Sequence, residues 1–219
     1  MKHSRFFLAA CLLCLAPAAM AAGAGLRAGT TGIGGDLAVE VLPTLSARVG
    51  YSYLSFSTTV DSTDVEYDAR PKLSNGNLFL DWSPLGPFRI TGGLILNGNK
   101  VDVTAVPTGG NFTINGVVYP AASIGSLSGT VESGKSAAPY LGIGYGNVSG
   151  AGVNFYFDLG VMFQGTPKAS LTAVCGASLS AGQCSQLQAN VAAEAIDLQD
   201  NIKNFKYFPV VSFGVTIGF

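Results

Sequence analysis

The side chains best able to do chemistry here are nine charges set among glycines and apolar residues. They are Arg27, Arg48, Arg70, Lys72 and Arg89, against Asp36, Glu40, Asp81 and Asp158. Each falls on the polar phase of a stretch that alternates apolar and polar residues. Charges of both signs on one enclosed face either pair into an ionic network or line a narrow polar path for ions or small solutes. Arginine keeps its charge in both cases. Hydrolytic or acyl-transfer chemistry on the histidine-dependent plan is excluded, because His3, the sole histidine, lies in the N-terminal leader described below. The chain is therefore not expected to be an enzyme. Cys175 and Cys184 have no partner histidine and make no metal site, and in an exported chain they are expected to form a disulfide. Gly142-x-Gly144-x-Gly146 and Gly32-x-Gly34-Gly35 open no strand-to-helix turn and carry no Lys-Ser/Thr, so no nucleotide cofactor is expected.

The elements that must position these charges read as strands. In Lys206–Phe219 the residues Tyr207, Pro209, Val211, Phe213, Val215, Ile217 and Phe219 form one row. Phe208, Val210, Ser212, Gly214, Thr216 and Gly218 form the other, small or polar over its last four positions. A period of two is the strand period. The same alternation recurs, and eight strands are predicted at about 24–31, 33–42, 45–58, 65–82, 88–104, 136–147, 152–172 and 205–219. The alternation changes phase at Thr31-Gly32, read as a tight hairpin rather than a bulge. A second slip, near Asn75-Gly76, predicts a bulge with Ala69, Pro71 and Leu73 facing out before it and Leu78, Leu80 and Trp82 after it. Beyond that hairpin three connections are tight, at Pro43, at Pro84/Pro87 and at Gly150/Gly152. They alternate with long ones. Val106–Lys135 is expected to be an extramembrane flap with an Asn115-Gly116 hairpin, and 186–204 a short helix capping the last long loop.

Charged residues make up only 11% of the 219-residue chain, and its mean hydropathy is positive. Yet beyond the N-terminus no run approaches the ~20 apolar residues of a membrane helix. Apolar residues interleaved with polar ones are how a transmembrane barrel carries its hydrophobicity: greasy outside, wet inside. Lys2 and Arg5, the apolar Phe6–Leu15 and Ala19-Met20-Ala21 read as a secretory signal peptide over 1–21, leaving 22–219 as the barrel. Leu8-Ala9-Ala10-Cys11 resembles a lipoprotein box, but its apolar core would be too short. Without the leader, ten Lys and Arg stand against thirteen Asp and Glu, net −3, which excludes a broad basic surface for nucleic acid. Tyr51, Tyr53, Trp82, Phe88, Tyr145, Tyr207 and Phe219 fall near strand ends, as interfacial aromatic girdles do.

The ending resembles the C-terminal signal of bacterial outer-membrane barrels: Ser212, Gly214, Ile217 and a terminal Phe219. With the leader and the eight-strand tally, the whole chain resembles small outer-membrane proteins of the OmpA-transmembrane-domain and OmpW type. The sequence stops at Phe219, so OmpA's peptidoglycan-binding second domain is not expected. The resemblance implies an all-β fold, a transmembrane antiparallel up-and-down β-barrel of eight strands, in the outer membrane of a Gram-negative bacterium. It implies outer-membrane lipids as surroundings, and the barrel-assembly machinery and periplasmic chaperones as partners in biogenesis. An even strand count with both ends in the periplasm is what requires the Thr31-Gly32 hairpin. Function is expected to be structural, or that of a narrow passive channel. The alternative is surface-loop binding, adhesion or hydrophobic-solute uptake without an open pore.

Overall fold

The computed structural model describes residues 21–62, 65–107 and 109–219. All but the last residue of the expected leader therefore lies outside the described residues. The fold is antiparallel sheet nearly throughout: β1 (Ala22–Gly29), β2 (Gly32–Leu42), β3 (Leu45–Ser55), β4 (Thr58–Ser62), β5 (Val65–Leu85), β6 (Phe88–Asn97) and β7 (Lys100–Pro107). There follow β8 (Asn111–Ile114), β9 (Val117–Pro120), β10 (Ile124–Glu132), β11 (Ala137–Tyr145), β12 (Gly152–Met162), β13 (Lys168–Cys175), α1 (Ala181–Ile202) and β14 (Phe208–Gly218). Among the described residues no helix is long and apolar enough to cross a membrane.

Eight of these strands pair with one another in sequence, each with two antiparallel neighbours among the eight. The pairs are β1–β2, β2–β3, β3–β5, β5–β6, β6–β11, β11–β12, β12–β14 and β14–β1. β1 and β2 meet as the expected tight hairpin, Gly29 opposite Gly32, and the turn leaves Gly32 at φ 110°, where a side chain is disfavoured. Along these strands the usual dressing of a sheet is inverted. Leu26, Leu37, Val49, Leu78, Leu80, Leu141, Phe155 and Phe213 are exposed, while Arg27, Asp36, Arg48, Asn77, Asp81, Arg89 and Asp158 are buried.

Of the remaining strands, β4, β7, β10 and β13 prolong the sheet at the end away from Pro43, Pro84 and Gly150, while β8 and β9 pair with each other as a separate two-stranded sheet. The first half of β5 leaves β6 and pairs with β4 and β7; β7 continues to β10, and β10 to β13. The expected strands 88–104 and 152–172 are each broken in two. At the first break Asn99 Oδ1 accepts from Ser74 N at 3.1 Å and from Asn75 Nδ2 at 2.7 Å, holding the corner where β5 exchanges partners. At the second, Gly165 at φ 72° and Pro167 interrupt the ladder. Val106–Lys135 is thus largely built into sheet. Its Asn115 (φ 50°) and Gly116 (φ 72°) make the expected hairpin between β8 and β9, both with the positive φ of a type I′ turn.

The helix begins five residues before its expected start. Ser180 caps it, accepting from Gln183 N, while Gln183 Oε1 accepts from Ser180 N at 3.0 Å; the expected span omitted this capping box. Leu187 and Val191 pack with Ile114, Tyr119 and Ile124 in a core separate from the sheet's enclosed face. Cys175 and Cys184 form the expected disulfide, Cα atoms 5.7 Å apart, tying the end of β13 to the first turn of α1. Replacing both cysteines with serine is expected to cost about 2–3 kcal/mol for so short a loop. The loss should be local: amides of α1 should exchange faster by hydrogen–deuterium mass spectrometry while those of β12 and β14 do not.

No bulge interrupts β5 at Asn75-Gly76. Its register with β3 is unbroken from Lys72 to Trp82, and the irregularity lies instead between Trp82 and Leu85, at the turn to β6. One phase therefore runs the length of the strand. Asn75, Asn77, Phe79 and Asp81 are buried, and Arg70 and Lys72 fall on the opposite, outward row.

Candidate functional site

The enclosed face gathers three arginines and three aspartates, one from each of six strands. Arg48, on β3, is 1% exposed and bonds Asp81 of β5 through Nε (2.9 Å) and Nη2 (3.0 Å), a bidentate pair. Its Nη1 donates to Asp158 of β12 at 2.8 Å and lies 4.0 Å from Asp36 of β2. Arg89, on β6, donates to the other Asp158 oxygen at 2.7 Å, and Thr91 Oγ1 donates to Asp81 at 2.6 Å. Arg27, on β1, donates to Asn77 at 2.8 Å; its 3.6 Å approach to Asp36 is too long for a hydrogen bond and acts by charge. Asp36 is completed by Tyr156 Oη–H at 2.5 Å and Asn77 Nδ2 at 3.2 Å. The guanidinium of Arg48 lies over the rings of Phe79 and Tyr156, and that of Arg89 over Tyr156, at 5.1–5.3 Å. Buried charge is tolerable only when paired and hydrogen-bonded, and the equal count of cations and anions satisfies that.

Backbone spacing makes room for these groups. A Cβ at Gly144 would stand 2.6 Å from both Arg89 Nη2 and an Asp158 oxygen, and one at Gly214 would stand 2.2 Å from the Tyr156 ring. Of the nine expected charges, six meet in this network. Glu40 does not join it; half-buried, it lines a pocket of about 410 Å³ at the tight-turn end with Ser46, Ser83, Ser149 and Arg89. Two nitrogens of Arg89, Nε and Nη1, have no protein partner. Arg70 and Lys72 are not in the network at all, because the unbroken phase of β5 turns them outward, with Lys72 Nζ 6.0 Å from the Tyr53 ring centre. Asn77, which joins Arg27 to Asp36, escaped the sequence reading. It lies after the expected slip and on the same row as Asp81, and it was missed because only charged residues were counted on that row.

Toward the other end, on β6, β11, β12 and β14, the enclosed face turns apolar. Ile95, Ala138, Tyr140, Met162 and Val210 pack with Phe79 of β5, Met162 is wholly buried, and Phe79 stacks on Tyr140 with ring centres 4.6 Å apart. Beyond this plug lies a cavity of about 250 Å³, lined by Leu73, Val101, Val131, Ile202, Phe205 and Phe208 and edged by Lys100 and Glu132.

The expected girdle aromatics are all exposed and fall in two tiers: Tyr51, Tyr53 and Tyr207 toward the loop end, Trp82, Phe88, Tyr145 and Phe219 toward the turn end. On β5 the tiers are eight residues apart, from Ser74 opposite Tyr53 to Trp82. That is about 26 Å of strand, or ~20 Å along the axis of a strand tilted by ~40°.

No family model matches the chain, and no curated protein does. Among solved structures it resembles CarO of Acinetobacter baumannii, at 24% identity and TM-score 0.59, covering 90% of this chain and 97% of that one. CarO2 of the same organism gives 21% identity and the same TM-score over 91% and 99%. A major outer membrane protein from Thermus thermophilus aligns at 16% identity with a TM-score of 0.44, over 91% and 99%. The first two establish a shared all-β antiparallel fold.

Proposed function

We propose that the chain is an integral outer-membrane protein, an eight-stranded up-and-down β-barrel whose bore is sealed and whose role is structural. Closure is supported by β5, which pairs with both β3 and β6 and so returns the path of neighbours to its start. Membrane insertion is supported by the inverted dressing and the two aromatic tiers: a belt of Leu, Val, Ile and Phe facing outward is unfavourable in water and favourable in acyl chain. Export rests on the leader at 1–21. The barrel-assembly machinery and periplasmic chaperones would receive the unfolded chain. In β14, Ser212 and Gly214 lie on the enclosed row and Ile217 on the exposed one, with Phe219 exposed just beyond the strand.

The single observation that carries the sealed reading is the packing of the bore. Side chains of the charge network and the apolar plug reach across it and are at most 4% exposed. Eight strands leave an interior about as wide as the side chains that fill it. The pocket at the turn end reaches Arg89 and is stopped there by the network. Purified protein in planar bilayers is therefore expected to show no reproducible conductance steps, and discrete steps from every preparation would establish the narrow-channel alternative. No catalysis belongs to this reading, since each buried aspartate is already committed to a cation or a donor. The loop-end cavity of about 250 Å³ favours a second reading, in which the loop region holds a small apolar solute without passing it through. A hydrophobic dye displaced by small alkanes or aromatics, and lost in Phe205→Asp, would support it.

A further inference from the structure

We infer that the outer face just beyond the loop-end aromatic tier is a binding site for the phosphate groups of outer-leaflet lipids. The inference rests on the membrane reading and deepens it. It follows from register. Directly opposed residues of antiparallel strands share a face. Lys72 of β5 opposes Lys100 of β7; Lys100 opposes Glu132 of β10; Glu132 opposes Lys168 of β13. These four form one row across four strands. Lys72 lies two residues beyond Ser74, the partner of Tyr53, so the row stands about 7 Å past that ring along the strand. In the next row Arg70 opposes Asp102, and Asp102 opposes Thr130.

The cations are placed for ligands outside the protein. Lys168 and Arg70 are exposed, and Lys72 and Lys100 are half-buried with their stems along the sheet, as lysines at a membrane interface lie. Lys100 Nζ is 2.6 Å from Asp102, and that ammonium, with the Thr130 hydroxyl, holds the Asp102 carboxyl below the usual carboxylate range. Among all ten lysines and arginines after the leader, three are in the bore and the other seven are all at the loop end; the tight-turn end has Glu40 and no cation. Of the loop-end carboxylates, Asp68 stands four residues beyond Lys72 on β5, and Glu194, Asp197 and Asp200 are carried by α1. Acyl-facing Leu and Val, then tyrosine, then lysine, then carboxylate is the order of a bilayer surface from core to phosphate to water. Phosphate charge near the membrane attracts each such cation in a leaflet that bears it.

The test is lipid retention by the full-length mature protein. Native mass spectrometry after exchange into phosphatidylcholine nanodiscs doped with phosphatidic acid, or with a bisphosphorylated diglucosamine lipid, is expected to show enrichment of the anionic phosphomonoester lipid over zwitterionic phosphatidylcholine on the protein. Lys72→Gln, Lys100→Gln and Lys168→Gln are each expected to lower that enrichment, roughly fivefold per lysine removed and more in combination. Lys203→Gln is expected to change nothing, because Lys203 follows the last residue of α1 and is not part of the sheet's lysine row. Equal retention by the triple variant, or no preference of the native protein for the anionic phosphomonoester lipid over phosphatidylcholine, would overturn the site. Both results leave the barrel reading standing as long as the protein enters pure phosphatidylcholine discs and keeps its heat-shifted gel band; failure to insert there would sink the membrane reading instead.

Discussion

Replacing Arg48 with alanine is expected to destabilise the protein more than any other single change in the bore, by about 3–5 kcal/mol, the cost of orphaning a buried charge partner. The magnitude follows from who is left behind. Asp158 keeps Arg89, and Asp36 keeps Tyr156, Asn77 and the more distant Arg27. Asp81 keeps only the neutral Thr91 hydroxyl and loses its bidentate cation. Arg48→Lys should fall between: the charge stays but the planar fork that serves Asp81 and Asp158 together does not. Pairing Arg48→Ala with Asp81→Asn should recover part of the loss, since the worst orphan is then neutral. Trp82, the sole tryptophan, is on the outward row and reports folding by its fluorescence in urea titrations into detergent micelles. A midpoint unchanged in Arg48→Ala would mean that water reaches the network freely, and the sealed-bore proposal would fall with it.

Much of this site was legible because a strand exposes its faces through parity alone. Arg48, Asp81, Arg89 and Asp158 each sit on the polar phase of a clear alternation, and the structure brings all four together within single hydrogen bonds. Parity failed at Arg70 and Lys72 for a physical reason. Leu73 and Leu78 are both apolar yet of opposite parity, which reads as a slip in phase. In the structure the phase is constant and the surroundings change. Within the belt the outer face meets apolar neighbours and the inner face is polar. Past Ser74 the sheet leaves the belt, Leu73, Val101 and Val131 turn inward to a cavity, and Lys72, Lys100 and Glu132 face out. A single sequence carries no mark of where a strand's surroundings change, from lipid to water on the membrane reading proposed above, so the inversion is indistinguishable from a bulge. The breaks at Asn99 and Gly165–Pro167 were hidden for a related reason: each joins two strands that alternate well on their own.

The second large effect separates two explanations of Gly214. The C-terminal pattern assigns this glycine to recognition during assembly, while the fold gives it a packing role, because a Cβ there would stand 2.2 Å from the Tyr156 ring. Tyr156 cannot yield cheaply: its hydroxyl is bonded to Asp36, and the guanidinium groups of both Arg48 and Arg89 lie over its ring, 5.1 and 5.3 Å from its centre. Gly214→Ala is therefore expected to cost about 1–3 kcal/mol by overpacking. Packing predicts that the penalty depends on the ring. In a Tyr156→Ala background, itself weakened by the lost bond to Asp36, Gly214→Ala should add close to nothing, so the double-mutant cycle should return nearly the whole penalty as coupling. Refolding from urea into detergent contains no assembly machinery, so a recognition role is silent there and appears only as lower folded yield in cells. A Gly214→Ala protein with an unshifted urea midpoint, yet poorly assembled in cells in both backgrounds, would assign the glycine to recognition. A shifted midpoint that Tyr156→Ala abolishes would assign it to the space that the aromatic ring needs to close the bore.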